Sequence, residues 1–258
     1  MKRISIVAAS ALMVATVASA EWHYGIGTGL TRLHVEGDQG LNVRVGGIGP
    51  VEFDVDLEPD DISDLMETAF GFGGYATDGQ WMFQFASGFL ELRDGTSRTL
   101  PSGTRVAGEI FQEITLAEAS VGYVVHRTEN LTVTPYVGVR YLEHEIGVEL
   151  DVTTAGGTAS EDRSVDHDWT DARVGVTLSA PITETWTWDG SVEAGFGGSD
   201  GTYKGDTGIS WMFAKHWSAR AGFNYTAIDF ENGSRGDDDW YLYDADEYGA
   251  SLGALYHW

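Results

Sequence analysis

The chain has 258 residues, with 40 acidic against 15 basic side chains and a formal net charge of −25 at pH 7. A surface of that charge repels phosphates, so nucleic acid is excluded as a partner. There is no cysteine, so disulfides are excluded and stability must come from packing and backbone pairing.

The first twenty residues predict a cleaved secretory signal peptide. Lys2 and Arg3 precede an uncharged apolar run, Ile4–Val17, and the small residues Ala18–Ala20 follow it. The run is too short for a membrane-spanning helix, which needs roughly 18 apolar residues or more. We therefore expect residues 1–20 to be removed and residues 21–258 to form one domain.

From residue 68 onward the apolar residues recur with period two, which indicates strands. Between Trp217 and Tyr225, for example, Trp, Ala, Ala, Phe and Tyr alternate with Ser, Arg, Gly and Asn. The pattern predicts about ten strands, over residues 22–34, 68–77, 80–92, 109–126, 131–146, 169–180, 186–197, 203–214, 217–230 and 241–258.

Three features favour a transmembrane barrel over a soluble sandwich, which shows the same alternation. Tryptophans fall beside the short turns, short and long connections alternate, and no amphipathic helix is present to cover a sheet face. The longer, acidic connections are expected near 37–66, 93–108, 146–169 and 231–240. We therefore predict an all-β fold, an antiparallel up-and-down β-barrel.

The segment 37–66 leaves the strand number open. Val43–Val45 and Val51–Leu57 are candidates for an extra hairpin, which would give twelve strands, whereas losing the first strands would leave eight. Asp60–Glu67 has a helical pattern and is a candidate for a segment folded into the lumen.

The last eight residues resemble the C-terminal insertion signal of outer-membrane proteins, in the positions of Ser251, Gly253, Tyr256 and Trp258. The glycine- and aromatic-rich strands also look like small outer-membrane barrels of Gram-negative bacteria, related in style to OmpA-like and OmpW-like proteins. The resemblance implies an outer-membrane location and insertion by the barrel assembly machinery. Outer-membrane lipid and lipopolysaccharide are then the expected partners, and no catalytic residue is carried over.

Seven charged residues are predicted on the inward faces of the strands. A barrel of about ten strands is narrow, and unpaired buried charge is very costly, so we expect these side chains to neutralise one another in a largely filled polar lumen. A narrow channel for small solutes is the alternative. The residues are Glu118, Arg140, Asp171, Arg173, Asp189, Glu193 and Arg220.

No motif predicts an enzyme, a cofactor or a metal site. His167 lies between Asp166 and Asp168 on a predicted loop beside Trp169, but histidine and aspartate neighbours in sequence do not share a side, and no nucleophile can be named. The acidic clusters at 54–61 and 237–239 lack the spacing of a calcium loop, so we interpret them as solvated loop charge. Gly25, Gly27 and Gly29 are expected to make room for inward neighbours rather than to bind a nucleotide. The oligomeric state is left open.

Overall fold

The computed structural model describes residues 21–42, 50–99, 105–154, 157–237 and 239–258. The predicted signal peptide and the stretch Val43–Val45 lie outside the described residues. Within the described ranges, no helix is long and apolar enough to cross a membrane.

Ten long antiparallel strands form a closed barrel, as the strand pattern predicts. Each strand pairs with the next long strand along the chain, and β12 pairs back onto β1 from Gly25 opposite His257 to Leu41 opposite Tyr241. The ten strands are β1 (His23–Leu41), β3 (Met66–Thr77), β4 (Trp81–Thr99), β5 (Arg105–Tyr123), β7 (Thr132–Thr154), β8 (Gly157–Pro181), β9 (Trp186–Phe196), β10 (Gly201–Ala214), β11 (Trp217–Asn232) and β12 (Tyr241–His257).

Two shorter strands and one helix complete the described fold. Strand β2 (Val51–Leu57) pairs with the C-terminal part of β1, and β6 (His126–Arg127) pairs with the start of β7. Helix α1 (Pro59–Leu65) follows β2 and buries Ile62 in a cluster of apolar side chains inside the barrel. The helical pattern in this segment is thus confirmed, one residue ahead of its predicted start.

The expectation of long loops at 93–108 and 146–169 is wrong. The ladder between β7 and β8 continues without a register shift from Thr132 opposite Ser179 to Thr154 opposite Gly157. The ladder between β4 and β5 likewise reaches Thr99 opposite Arg105. Both segments therefore extend the barrel wall, because backbone pairing persists after the apolar alternation has ended.

The outward face carries a band of exposed apolar side chains, with Leu30 73% and Leu252 70% exposed. On β11 the band runs from Trp217 to Tyr225, close to the 9–11 residues that a membrane-spanning strand needs. Aromatic residues occupy both edges of the band, as in barrels that contact lipid. The edge beside the short turns holds Trp81, Trp186, Trp217, Tyr256 and Trp258, and the other edge holds Phe70, Phe89, Tyr141, Phe196, Tyr203, Tyr225 and Tyr248.

Charged residues begin on the outward face directly above this band. On β7, Glu143 and Glu145 follow Tyr141 in the same alternation. They lie opposite Asp168 and Asp166 of β8. The strands therefore leave the apolar layer here and continue into water. We call the end of the barrel beyond the band the upper half.

The lower half of the interior is polar, whereas apolar side chains dominate the upper half around a few buried polar residues such as His144, so the expectation of a polar lumen holds for the lower half. In the upper half, inward side chains of six strands, with Ile62 of α1, form a dry apolar cluster. Its members are Val35, Leu41, Ile62, Leu92, Leu142, Ile146, Trp169, Ile228, Phe230, Tyr241, Tyr243 and Ala245. These side chains are buried from solvent, as in the core of a soluble protein.

Candidate functional site

Four of the seven predicted lumen charges meet in one layer across the barrel. Arg140 Nε lies 2.7 Å from Glu118 Oε1, and its Nη2 contacts Glu193 Oε1. Arg173 Nη1 lies 2.8 Å from Glu118 Oε2, and its Nη2 lies 2.6 Å from Glu193 Oε2. The four side chains are 3% to 9% exposed. Two arginines and two glutamates therefore form a neutral, buried ring of ion pairs, which we call the ion-pair layer.

Two further side chains, which the sequence did not single out, complete this layer. Tyr136 Oη donates a hydrogen bond to Glu193 Oε2 at 2.7 Å. Lys204 Nζ approaches Glu118 Oε1 at 3.5 Å. The tyrosine ring has room because Gly175 lies beneath it: a Cβ at that position would be 2.5 Å from Tyr136 Cζ.

A second group of ion pairs lies below this layer, nearer the short turns. Arg220 Nε donates to Asp189 Oδ2 at 2.7 Å, and Asp189 Oδ1 accepts a hydrogen bond from Ser210 at 3.0 Å. Arg220 also pairs with Asp206, which the sequence analysis did not name. The alternation of β10 would have found Asp206, since it lies opposite Asn224 and Ser191 on the inward face.

Asp171 is inward and fully buried, but it has a different partner from the one expected. Its two carboxylate oxygens accept hydrogen bonds from the backbone N–H groups of Gly198 and Ser199, at 3.0 and 2.8 Å, and from the hydroxyls of Ser199 and Thr202. The carboxylate therefore holds the turn between β9 and β10, because four neutral donors satisfy its oxygens.

The apolar core above the ion-pair layer contains a buried polar chain. His144 is completely buried and hydrogen-bonded to Gln112 and to the Tyr241 hydroxyl. Burial, and to a smaller extent His167, lowers the pKa of His144 to about 3, so the ring is neutral at pH 7. A neutral imidazole is compatible with the aromatic packing of this core, in which Trp169 stacks on Phe230 at 4.1 Å.

His167 lies on β8, not on a loop as expected. Its ring is inward and lies 4.8 Å from the ring of Tyr241, whereas Asp166 and Asp168 are on the opposite, outward face of the strand. Burial lowers the pKa of His167, against the opposing effect of Asp166, Asp239 and Asp168. Within the part of the chain that the structure describes, His167 Nε2 has no hydrogen-bond partner.

Two cavities lie on either side of the ion-pair layer. The upper one has a volume of about 130 Å³ and is lined mainly by leucine and isoleucine, with Glu118 and Arg140 at its floor. The lower one has a volume of about 370 Å³ and is lined by polar groups that include Arg173, Glu193 and Arg220. The ion pairs thus lie between a mainly apolar cavity and a cavity lined by more polar side chains.

The four residues of the predicted insertion signal lie on β12 and just after it, along the seam with β1. Ser251 and Gly253 are on the inward face, opposite Thr31 and Gly29. The Tyr256 ring lies 5.1 Å from the Trp217 ring and 5.9 Å from the Trp258 ring, in the aromatic edge beside the short turns.

Carboxylates face one another on the outward side of the upper half. Asp38 of β1 lies directly opposite Asp54 of β2 and Asp244 of β12, and Asp244 lies opposite Asp229 of β11. The side-chain contact with Asp54 and, to a smaller extent, burial raise the pKa of Asp38. We call this surface of β2, β1, β12 and β11 the acidic face.

No family model and no curated protein matches the chain. Among solved structures it is similar to the outer membrane protease OmpT from Escherichia coli, with a TM-score of 0.56 and 7% identity over 93% of this chain and 98% of that one. The translocator domain of the autotransporter NalP from Neisseria meningitidis matches with a TM-score of 0.43 and 12% identity, over 93% of this chain and 89% of that one. Identities this low describe the fold alone, and the chain has the fold of the closed, antiparallel ten-stranded barrels of outer membranes.

Proposed function

We propose that the protein is an outer-membrane barrel that is closed to solutes and acts through the surface it displays above the lipid-facing band. One observation carries the proposal: the interior is filled at two levels, by the ion-pair layer and by the apolar core above it. Buried apolar side chains exclude water. The paired charges lie across the interior and compensate one another, so they leave no open route for ions.

The same proposal includes export, insertion and the expected lipid partners. Residues 1–20 would direct export, and the barrel assembly machinery would read Ser251, Gly253, Tyr256 and Trp258. The outward apolar band supports contact with outer-membrane lipid. Because the charged rim above the band is mainly acidic, contact with anionic lipopolysaccharide requires divalent cations between the two.

The role that we propose is structural or one of surface interaction, rather than catalysis. In support, His167 and its acidic neighbours in sequence lie on opposite faces of β8. A casein and lipid hydrolysis screen should give the same background rate for the purified protein and for His167→Ala. A measurable activity that this substitution removes would contradict the proposal.

Conductance across a planar bilayer tests the closed state directly. The refolded protein should insert without producing a steady current step. A protein-free detergent control should show no current step either. Reproducible steps of one size from the parent protein would favour the alternative, a narrow channel for small solutes.

A further inference from the structure

His34 lies on the outward side of β1, just above the lipid-facing band, among three carboxylates. Its Nε2 is 3.3 Å from Asp56 Oδ1 and 3.6 Å from Glu36 Oε2, and its Nδ1 is 3.7 Å from Glu58 Oε2. One ligand atom from each of His34, Asp56 and Glu58 lies within 4.8 Å of the others. Imidazole nitrogen and carboxylate oxygen are both ligands of first-row transition metals.

The imidazole is held in place although its Nε2 makes no hydrogen bond. The His34 side chain is only 13% exposed, and its ring stacks on Tyr248 with centroids 4.7 Å apart. Its Nε2 is buried and has no hydrogen-bond partner in the part of the chain that the structure describes. A fixed nitrogen without a hydrogen-bond partner, close to carboxylates, is available as one ligand of a metal ion.

Local contacts hold the backbone that carries the acidic ligands, which come from separate elements, while the carboxylates themselves are exposed. Asp56 is on β2, and Glu58 immediately precedes α1, where its backbone N–H donates to Asp61 Oδ2 at 3.0 Å. The start of the helix is tied to β1 by the ion pair between Asp60 and Arg32. The backbone positions of the ligands are therefore set before any ion binds.

We propose that His34, Asp56 and Glu58 form a binding site for a divalent transition-metal ion of the Zn²⁺ type, with Glu36 available as a fourth ligand. Zn²⁺ binds nitrogen and oxygen at about 2.0–2.2 Å in a tetrahedron, so neighbouring ligand atoms are about 3.4 Å apart. The distance of 3.3 Å from His34 to Asp56 already matches this edge. Glu58 lies nearer the other ring nitrogen, 3.7 Å from Nδ1, so its side chain has to move towards Nε2 to complete the shell.

The charge of the surroundings favours a cation, and the nitrogen selects among cations. Asp54 and Asp244 both lie directly opposite Asp38, on its two sides, on the same acidic face, and like charges opposite each other destabilise a sheet. Ca²⁺ and Mg²⁺ take oxygen ligands almost exclusively, whereas imidazole suits Zn²⁺. The site should therefore retain Zn²⁺ in an excess of Ca²⁺.

A bound ion would join three elements of the upper half. It would link β1 to β2 and to the start of α1, the helix that places Ile62 in the apolar core. Metal binding would thus stabilise the segment that covers this side of the upper interior, since an ion that binds only the folded state adds to its stability.

Calorimetric titration of the refolded chain with Zn²⁺, in excess Ca²⁺, tests the proposal. We expect one Zn²⁺ per chain, and a Co²⁺ complex with the visible absorption of tetrahedral coordination. His34→Phe keeps a ring to stack on Tyr248 but removes the nitrogen, and it should weaken Zn²⁺ binding by at least about tenfold. Asp56→Asn is the second variant, with the same expectation.

The matched control is Asp246→Asn, which removes one charge from the same face, at a carboxylate that accepts a hydrogen bond from Tyr225 and is not in the proposed shell. Its affinity for Zn²⁺ should stay within about twofold of the parent, as expected for an exposed charge in salt. The proposal is overturned if the parent binds no Zn²⁺, if His34→Phe binds it as tightly as the parent, or if Ca²⁺ displaces it at equal concentration.

Discussion

Replacing Glu193 with glutamine tests whether the ion-pair layer is a dry, coupled structure. Glu193 is 3% exposed on its side chain and accepts hydrogen bonds from Arg140, Arg173 and Tyr136. The amide keeps the size of the side chain and an acceptor for Tyr136, but it removes one negative charge. The two arginines then keep Glu118, with Lys204 beside it, and the buried carboxyl group of Glu247 also interacts with Arg140.

The expected loss in free energy of unfolding is about 3–5 kcal/mol, the range measured when one partner of a buried ion pair is removed. Glu67→Gln is the matched control, because it removes a carboxylate that is 2.8 Å from Arg93 and 56% exposed. That exposed pair should contribute about 1 kcal/mol or less.

Urea unfolding of the barrel refolded into lipid vesicles, followed by tryptophan fluorescence, measures both differences. If Glu193→Gln loses no more stability than Glu67→Gln, the ion-pair layer is not a buried, coupled structure. Such a result would mean that water screens the layer, and the lumen would then be open enough for solutes.

Three further outcomes are expected. Asp171→Asn turns an amide N–H group toward the donors of the β9–β10 turn, so it should lose about 2 kcal/mol of stability, and amide exchange at Gly198 should become faster. Gly175→Ala should displace the Tyr136 ring and lose about 1–3 kcal/mol, the range for overpacking a core; near-ultraviolet circular dichroism would detect the displaced ring. Burial, and then neighbouring carboxylates, raise the pKa of Asp229, so its folded state binds protons more readily than its unfolded state. Its stabilising contribution is therefore complete below about pH 4 and is lost as the pH rises through the raised pKa. In urea titrations, Asp229→Asn should gain less stability than the parent on mild acidification.

The period-two pattern identified the ten long strands because one face of each strand meets a uniform apolar medium. Above the band this contrast disappears. Asp166, His167 and Asp168 are polar on both faces, although His167 points inward against Tyr241, so the pattern indicated a loop where the ladder continues. Strand pairing there depends on the neighbouring strand, which a single segment does not reveal.

The side-chain partners were less predictable than the strands. Inward charges were identifiable from alternation. The partners of Asp171, however, are backbone N–H groups and hydroxyls of the β9–β10 turn, and alternation does not predict turn geometry. His34 and Asp56 meet because β2 folds back along β1, a pairing between segments that the sequence left open. Apolar inward residues such as Leu142 were not predicted, because only the outward face was expected to be apolar.

The uninterrupted ladder of β7 and β8 beyond the apolar band has a consequence for recognition. A binding surface carried on paired strands is already ordered, so a partner does not have to restrict a flexible loop, and more of the contact energy remains as affinity. Foreign peptide segments inserted near the tip of this hairpin would be presented on a stiff support at a fixed height above the lipid.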